Sequence, residues 1–329
     1  MPQIAGREVG PIGFGLMGFT WRPNPCSQEQ AFAAMRAAIK NGATFWNGGE
    51  FYGTPEYNSM TLLNAYFKKY PEDADKVVIS IKGGTVPGTL RVDGSPENTR
   101  RSVNDVLGQL KGSVKLDMFE FARRDRNAPF DVTLGVLENE YVKTGKVGGI
   151  SLSEVSAETI HEAVKITRIV AVEVELSLWA TEALENGVAE ACAKYNIPLV
   201  AYSPLGRGIL TGQIKSIDDI PEGDFRRFFP RFQPDTFPIN LELVRQIEAL
   251  AAKKNCTPSQ LAIGWCIALS RRPNMPTIIP IPGATTEERV NENSKLVELT
   301  DEEMAEIDAV LAKFEVAGGR YPDGDPVHT

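Results

Sequence analysis

The sequence predicts an α/β fold in which a single domain, residues 1–329, closes as a TIM-type (β/α)₈ barrel. Short apolar runs of strand character recur eight times, and segments with helical periodicity and helix-start signals separate them. No linker-like break divides the chain, which favours one closed barrel over an open doubly wound sheet.

The strand candidates, in order, are VGPIGFGL, TFWN, KVVISIK, LDMFEFA, KVGGISL, IVAVEVEL, IPLVAYSPL and PTIIPIPG. Several are nearly continuous apolar stretches, as expected where a parallel sheet is covered on both faces. Between them, Ser27 with Gln30 reads as a capping box, and Gly42 stops the helix that follows. Ser95 then Pro96 gives a cap with proline at the first helical position. Thr257, Pro258 and Gln260 combine both devices, and Thr300 with Glu303 opens a last helix. Two helices exceed the simple alternation, one over residues 241–254 and the one after Thr300. Residues 203–238 form a long insertion after the seventh strand, and the Gly-, Pro- and Asp-rich tail from Val316 onward is predicted to be irregular.

Composition narrows the function. A net charge of −8 argues against a nucleic-acid surface, which needs a positive field. No run approaches the length of a membrane span, and the N-terminus has no apolar signal core, so a cytoplasmic protein is expected. Cys26, Cys192, Cys256 and Cys266 are scattered, which fits reduced thiols better than a disulfide frame or a zinc site. The only two histidines, His161 and His328, read as solvated helix and tail residues, so catalysis must rest on other side chains and no metal site is expected.

Gly13-Phe14-Gly15-Leu16-Met17-Gly18 matches the dinucleotide fingerprint and follows a strand. That fingerprint also needs a helix opening at the third glycine, and Pro23 and Pro25 oppose one. Barrel chemistry instead gathers at the C-terminal ends of the strands. There the second strand runs into Asn47, Glu50 and Tyr52, and the third closes on Lys82. A lysine ending an apolar strand puts its charge in a half-buried mouth. Beside it, a tyrosine near its ordinary pKa of about 10 is expected to be lowered and so tuned as a general acid. The segment Phe225 to Phe232 interleaves basic and aromatic residues and is expected to close over the mouth as a loop.

With these residues the chain resembles the aldo-keto reductases from end to end, and Trp46-Asn47-Gly48-Gly49-Glu50-Phe51-Tyr52-Gly53, Lys82-Gly83-Gly84-Thr85 and Phe121-Ala122-Arg123 resemble the fungal pyridoxal reductase branch. The resemblance implies an NADPH-dependent reduction of an aldehyde, pyridoxal to pyridoxine. It implies Tyr52 as proton donor, Lys82 as its partner and Asn47 as the group orienting Lys82. Trp21, Ala122 and Arg123 would meet the substrate. Asn47 replaces the usual aspartate and Ala122 the usual histidine. Ser153, Glu154 and Glu173 would hold the nicotinamide carboxamide, with Glu173 in place of a glutamine. Tyr202 would stack on the ring, and Ser203, Leu205, Gly206 and Gly208 would wrap the pyrophosphate. Thr285, Arg289, Glu292 and Asn293 would form the adenosine site, with Arg289 on the 2′-phosphate. Two alternatives remain open: an NADPH-binding barrel that regulates a partner, and a reductase for another aldehyde or ketone of secondary metabolism. Oligomeric state is not legible.

Overall fold

The structure, a computed structural model, describes residues 1–324 and 327–329. Eight parallel strands follow one another around the sheet: β1 Phe14–Gly15, β2 Phe45–Gly49, β3 Val78–Gly83, β4 Met118–Phe121, β5 Ile150–Ser153, β6 Ile169–Glu175, β7 Leu199–Tyr202 and β8 Ile278–Pro280. The ring closes where the Gly13 N–H donates to Pro280 O at 2.9 Å and Gly15 bridges Gly283 in parallel. All eight expected strands are present, although the first is only two residues long.

Helices α1 Gln28–Lys40, α2 Ser59–Lys69, α3 Pro96–Leu110, α4 Phe130–Leu137, α5 Ala157–Ile166 and α6 Val188–Lys194 each return the chain to the next strand. The supernumerary α7 Phe237–Lys254 precedes α8 Pro258–Ala268, and α9 Glu287–Asn293 and α10 Asp301–Leu311 follow the last strand. Their caps are those the residues suggest, except that the capping box expected at Ser27 is half formed, because the Gln30 side chain donates to Thr285 O. Ser27 Oγ accepts from the Gln30 N–H, Ser95 Oγ accepts from the Asn98 N–H, and Thr257/Gln260 and Thr300/Glu303 form reciprocal capping boxes.

The inward face of the barrel changes character along its axis. Toward the strand starts, Phe45, Val78, Met118, Ala171, Val200 and Ile279 form an apolar plug. An N-terminal hairpin (Gln3–Ile4 with Arg7–Glu8), absent from the sequence-based expectation, joins that plug through Ile4. Further along β2 to β6 the inward positions become Asn47, Ser80, Glu120, Ser151 and Glu173, because side chains on one face recur with period two. The chemistry therefore sits above a dry floor.

At Gly13-x-Gly15-x-x-Gly18 one helical turn, Met17–Thr20, does form, but it ends before Pro23 and Pro25 and begins no longer helix. The insertion after β7 holds 3-10 turns at Gly206–Thr211, Ile217–Asp219, Phe225–Phe228 and Pro230–Phe232. No described helix is long and apolar enough to cross a membrane.

Candidate active site

β2 and β3 set Tyr52 beside Lys82. Gly49 pairs in register with Lys82, and the Glu50 N–H donates to Lys82 O at 2.7 Å. The chain then turns so that the Tyr52 ring lies back on Gly49, where a Cβ would stand 2.9 Å from the ring carbons. Glycine is required there by space. The turn is pinned from outside by Glu50, whose carboxylate accepts from Arg101 and Ser102 of α3, both at 2.5 Å. Trp21 stacks on Tyr52 at 5.3 Å between centroids, and Phe225 stacks on the other side of Trp21 at 6.2 Å. The insertion loop thus lies over the mouth. Phe229 packs on the Arg207 guanidinium at 3.9 Å and against Tyr321.

Lys82 is buried among polar partners. Its ammonium donates to Asn47 Oδ1 at 2.8 Å and to Glu173 Oε1, and Glu120 Oε1 stands 3.2 Å away. Asn47 Nδ2 donates in turn to Glu173 Oε2 at 2.7 Å, and Ser151 Oγ donates to Glu120 Oε2 at 3.0 Å. The neutral Asn47 is thus a hydrogen-bond acceptor for Lys82, while the counter-charge comes from β4 and β6. Glu173 is engaged with Lys82 and Asn47, where the sequence reading placed it on a nicotinamide carboxamide. Burial alone would lower the Lys82 pKa, but Glu120 and Glu173 outweigh it and hold the ammonium above the ordinary range. Burial and the Glu120 charge push Glu173 up to about 8 against the pull of Lys82.

The same cluster reverses one expectation. Burial pushes the Tyr52 phenol up to about 12. Lys82 pulls it down, but Glu173, Glu120 and Tyr321 add to the rise. A lowered value was expected from the sequence, which shows the lysine and hides the two carboxylates that spend its field. The cluster therefore favours the protonated phenol.

A second cluster caps the first. Glu154, fully buried after β5, is clasped by Arg320 from the tail, with Nη1 3.2 Å from Oε1 and Nη2 3.0 Å from Oε2. Arg320 also donates to Glu175 at 3.1 Å, and Glu175 accepts from Arg207 at 2.8 Å. Burial would raise Glu154, yet Arg320 overrides it and brings the carboxyl down to about 2. Tyr202 donates to Glu154 at 2.9 Å and meets the Tyr321 hydroxyl at 2.7 Å. Arg123, in the bend just past β4, reaches the Tyr321 hydroxyl at 3.4 Å and so faces this cluster. Ala122, with its N–H on Gly83 O at 3.0 Å, is buried beside it. Over its described residues the tail is irregular, as expected, but parts of it are buried rather than solvated. Arg320 is 8 % and Thr329 7 % exposed, and His328 Nε2 lies 3.0 Å from Arg320. His161 is likewise engaged, with Nδ1 3.0 Å from the Tyr195 hydroxyl.

The residues carried over as cofactor contacts fall into three groups. Among the described residues Ser153 Oγ is buried without a hydrogen-bond partner, an orphan that fits a ligand amide. Ser203, Leu205, Gly206 and Gly208 form tight turns, the Gly206 N–H on Ser203 O at 2.8 Å and the Gly208 N–H on Leu205 O at 2.9 Å. Ser203 (φ 49°), Gly206 (56°) and Gly208 (101°) adopt positive φ, the backbone that these tight turns require. Thr285, Arg289, Glu292 and Asn293 cluster around α9. Thr285 O accepts from Gln30 at 2.9 Å, Arg289 pairs with Glu292 at 2.6 Å, and Asn293 is buried.

Sequence reasoning missed Glu120, Glu175, Arg207, Arg320 and Tyr321. Glutamates at inward positions of the otherwise apolar MFEF and VAVEVE runs were the available signal for the first two.

The family description "Aldo/keto reductase family" matches residues 11–312. The chain is 40% identical to the "Probable pyridoxal reductase 2" of Schizosaccharomyces pombe, over 98% of this chain and 97% of that one. It is 38% identical to the "Putative pyridoxal reductase" of Saccharomyces cerevisiae, over 94% and 95%. Among solved structures, the glycerol dehydrogenase of Gluconobacter oxydans superposes with a TM-score of 0.79 at 22% identity, covering 95% of each chain, a likeness of fold. Matches that span nearly the whole barrel, on relatives alike at up to 40% of positions, lead to one assignment: the chain is an oxidoreductase of the aldo/keto reductase family.

Proposed function

We propose that this single-domain barrel reduces an aldehyde, with pyridoxal as the preferred substrate and pyridoxine as product, using NADPH. The observation that carries the reading is the buried Tyr52–Lys82 pair at the strand ends, with the phenol held protonated beneath the stacked Trp21. The family uses nicotinamide cofactors, and reduced nicotinamide supplies a hydride when bound. The residues present fit such a group at Ser153, whose hydroxyl lacks a partner, and at Arg289, whose guanidinium can exchange Glu292 for a 2′-phosphate.

Within the chain, Tyr52 delivers a proton to the carbonyl oxygen as negative charge develops there. Lys82 stabilises the phenolate left behind, and Asn47 with Glu173 keeps the ammonium aimed. Trp21 and the Phe225 loop exclude water above the phenol. Arg123, turned into the mouth, is placed to steady an electron-rich ring substituent. Pyridoxal carries a phenolic oxygen next to its aldehyde, and the small Ala122 leaves room for its ring. The test is to mix the protein with NADPH and pyridoxal and follow loss of the reduced-cofactor absorbance, with a panel of aldehydes and ketones alongside. Turnover of pyridoxal no better than that of unrelated aldehydes would overturn the substrate assignment. Cofactor binding without turnover of any carbonyl would instead favour a regulatory barrel.

A further inference from the structure

The Lys82 cluster contains a closed triangle of hydrogen bonds whose directions are fixed by chemistry. Lys82 can only donate, and it donates to Asn47 Oδ1 and to Glu173 Oε1. Asn47 accepts with its oxygen and donates with its nitrogen, to Glu173 Oε2 at 2.7 Å. Glu173 accepts both. All three groups are buried, at 4 %, 3 % and 1 % exposure, so a mismatched edge cannot be repaired by bulk water.

The triangle has two satisfied forms. One is lysine, amide on β2 and carboxylate on β6, as found here. The other is lysine, carboxylate on β2 and amide on β6. Each half-exchange is frustrated. Glu173→Gln alone sets an amide nitrogen against Asn47 Nδ2, and turning either amide over moves the donor–donor clash to the ammonium. Asn47→Asp alone sets two carboxylates 2.7 Å apart, the present Asn47–Glu173 distance, so one must take up a proton and the edge is satisfied only by giving up a charge that faces Lys82.

We propose that Glu173 is a positioning residue of the reduction, coupled to Asn47 as a single charge-and-amide unit that aims Lys82 at Tyr52, rather than a contact of the nicotinamide. The inference rests on the reading of Tyr52 as proton donor. Charged and titratable groups facing the phenol are Lys82, Glu120, Glu173 and Tyr321, and those facing Glu173 are Lys82 and Glu120. Within this set Glu173 supports the protonated phenol, so its charge also determines where the alkaline limb of the reaction falls.

The experiment compares the parent with Glu173→Gln, Asn47→Asp and the double exchange, by kcat, cofactor KM, pH profile and thermal midpoint. Each single exchange is expected to lower kcat by about tenfold or more and to lower the midpoint, at little change in cofactor KM. The alkaline limb of Glu173→Gln should move to lower pH by about one unit, because a negative charge near the phenol is gone. The double exchange should return kcat to within about threefold of the parent and recover the midpoint, the non-additivity of a coupled pair. Parent-level kcat with an unshifted limb in Glu173→Gln overturns the proposal. So does a double exchange no better than the worse single one, which also decides the matter should a single variant fail to fold. A loss confined to cofactor KM returns Glu173 to the nicotinamide. Tyr52→Phe run alongside keeps the two readings apart: full turnover in that variant removes the proton-donor reading, while rescue of the thermal midpoint still judges the Asn47–Glu173 unit by itself.

Discussion

Replacing Arg320 by alanine tests whether the C-terminal tail is a built part of the mouth. The substitution removes the clasp on Glu154, which is fully buried; among the described residues its carboxylate then keeps the Tyr202 hydroxyl and the Glu175 N–H as donors, each at 2.9 Å, and the nearby Arg123 charge. Glu175 is less affected, because Arg207 still holds it at 2.8 Å. Removing one partner of a buried ion pair costs about 3–5 kcal/mol. The displacement of Glu154 from 4.5 to about 2 corresponds independently to roughly 3 kcal/mol at neutral pH. At about 2 °C per kcal/mol for a chain of this size, the midpoint should fall by roughly 6–10 °C at pH 7. The sign with pH follows. A carboxyl lowered on folding adds stability that is complete above 4.5 and lost as pH falls toward 2. The gap between parent and variant should therefore narrow steadily below pH 4.5. Scanning calorimetry at pH 7 and pH 3, with limited proteolysis of the tail, reads both effects. A midpoint unchanged at pH 7, or a gap that persists undiminished at pH 3, would refute the assignment of Arg320 as the cation that holds Glu154.

Three further outcomes are expected. Tyr52→Phe should lower turnover by roughly two to four orders of magnitude while cofactor titration stays at the parent value, and unchanged turnover would exclude Tyr52 as donor. Arg289→Ala should weaken NADPH by about ten- to a hundredfold and leave NADH nearly unaffected, since a lost charge-assisted contact costs about 1.5–3 kcal/mol; equal loss for both cofactors would confine Arg289 to its pairing with Glu292. Ala122→His should depress kcat/KM for pyridoxal and spare that for a small unbranched aldehyde, and equal values for pyridoxal in variant and parent would show that the space at this position does not fit substrate.

The barrel was legible because its signals are local. Strand runs, caps and stops lie within a few residues of each other, and the caps at Ser27, Ser95, Thr257 and Thr300 form as their spacing suggests. Lys82 was legible because it closes an apolar run, and Tyr52 because the segment that follows the second strand carries the resemblance to the family. The rest depends on contacts between distant segments. Glu120 and Glu173 lie 38 and 91 positions from Lys82, and only closure of the ring makes them its partners. The direction of the Tyr52 shift could not be read for the same reason. Arg320 and Tyr321 lie in a tail whose Gly, Pro and Asp content signals irregular backbone and says nothing about burial. Irregular and solvated are different properties, and composition reports only the first.

The stack of Tyr52, Trp21 and Phe225 also makes the molecule its own optical probe. Of the four tryptophans, Trp46, Trp179 and Trp265 are buried in the body of the barrel, and Trp21 alone is partly exposed, at the rim between Tyr52 and the covering loop. Indole emission overlaps the absorption band of reduced nicotinamide, so a dinucleotide seated in the mouth should quench Trp21 by energy transfer, and Trp21→Phe should remove most of that signal. Displacement of Phe225 would move the same indole toward water and shift its emission to the red. Two spectral changes, intensity and colour, would then separate arrival of the dinucleotide from movement of the loop in a single stopped-flow trace.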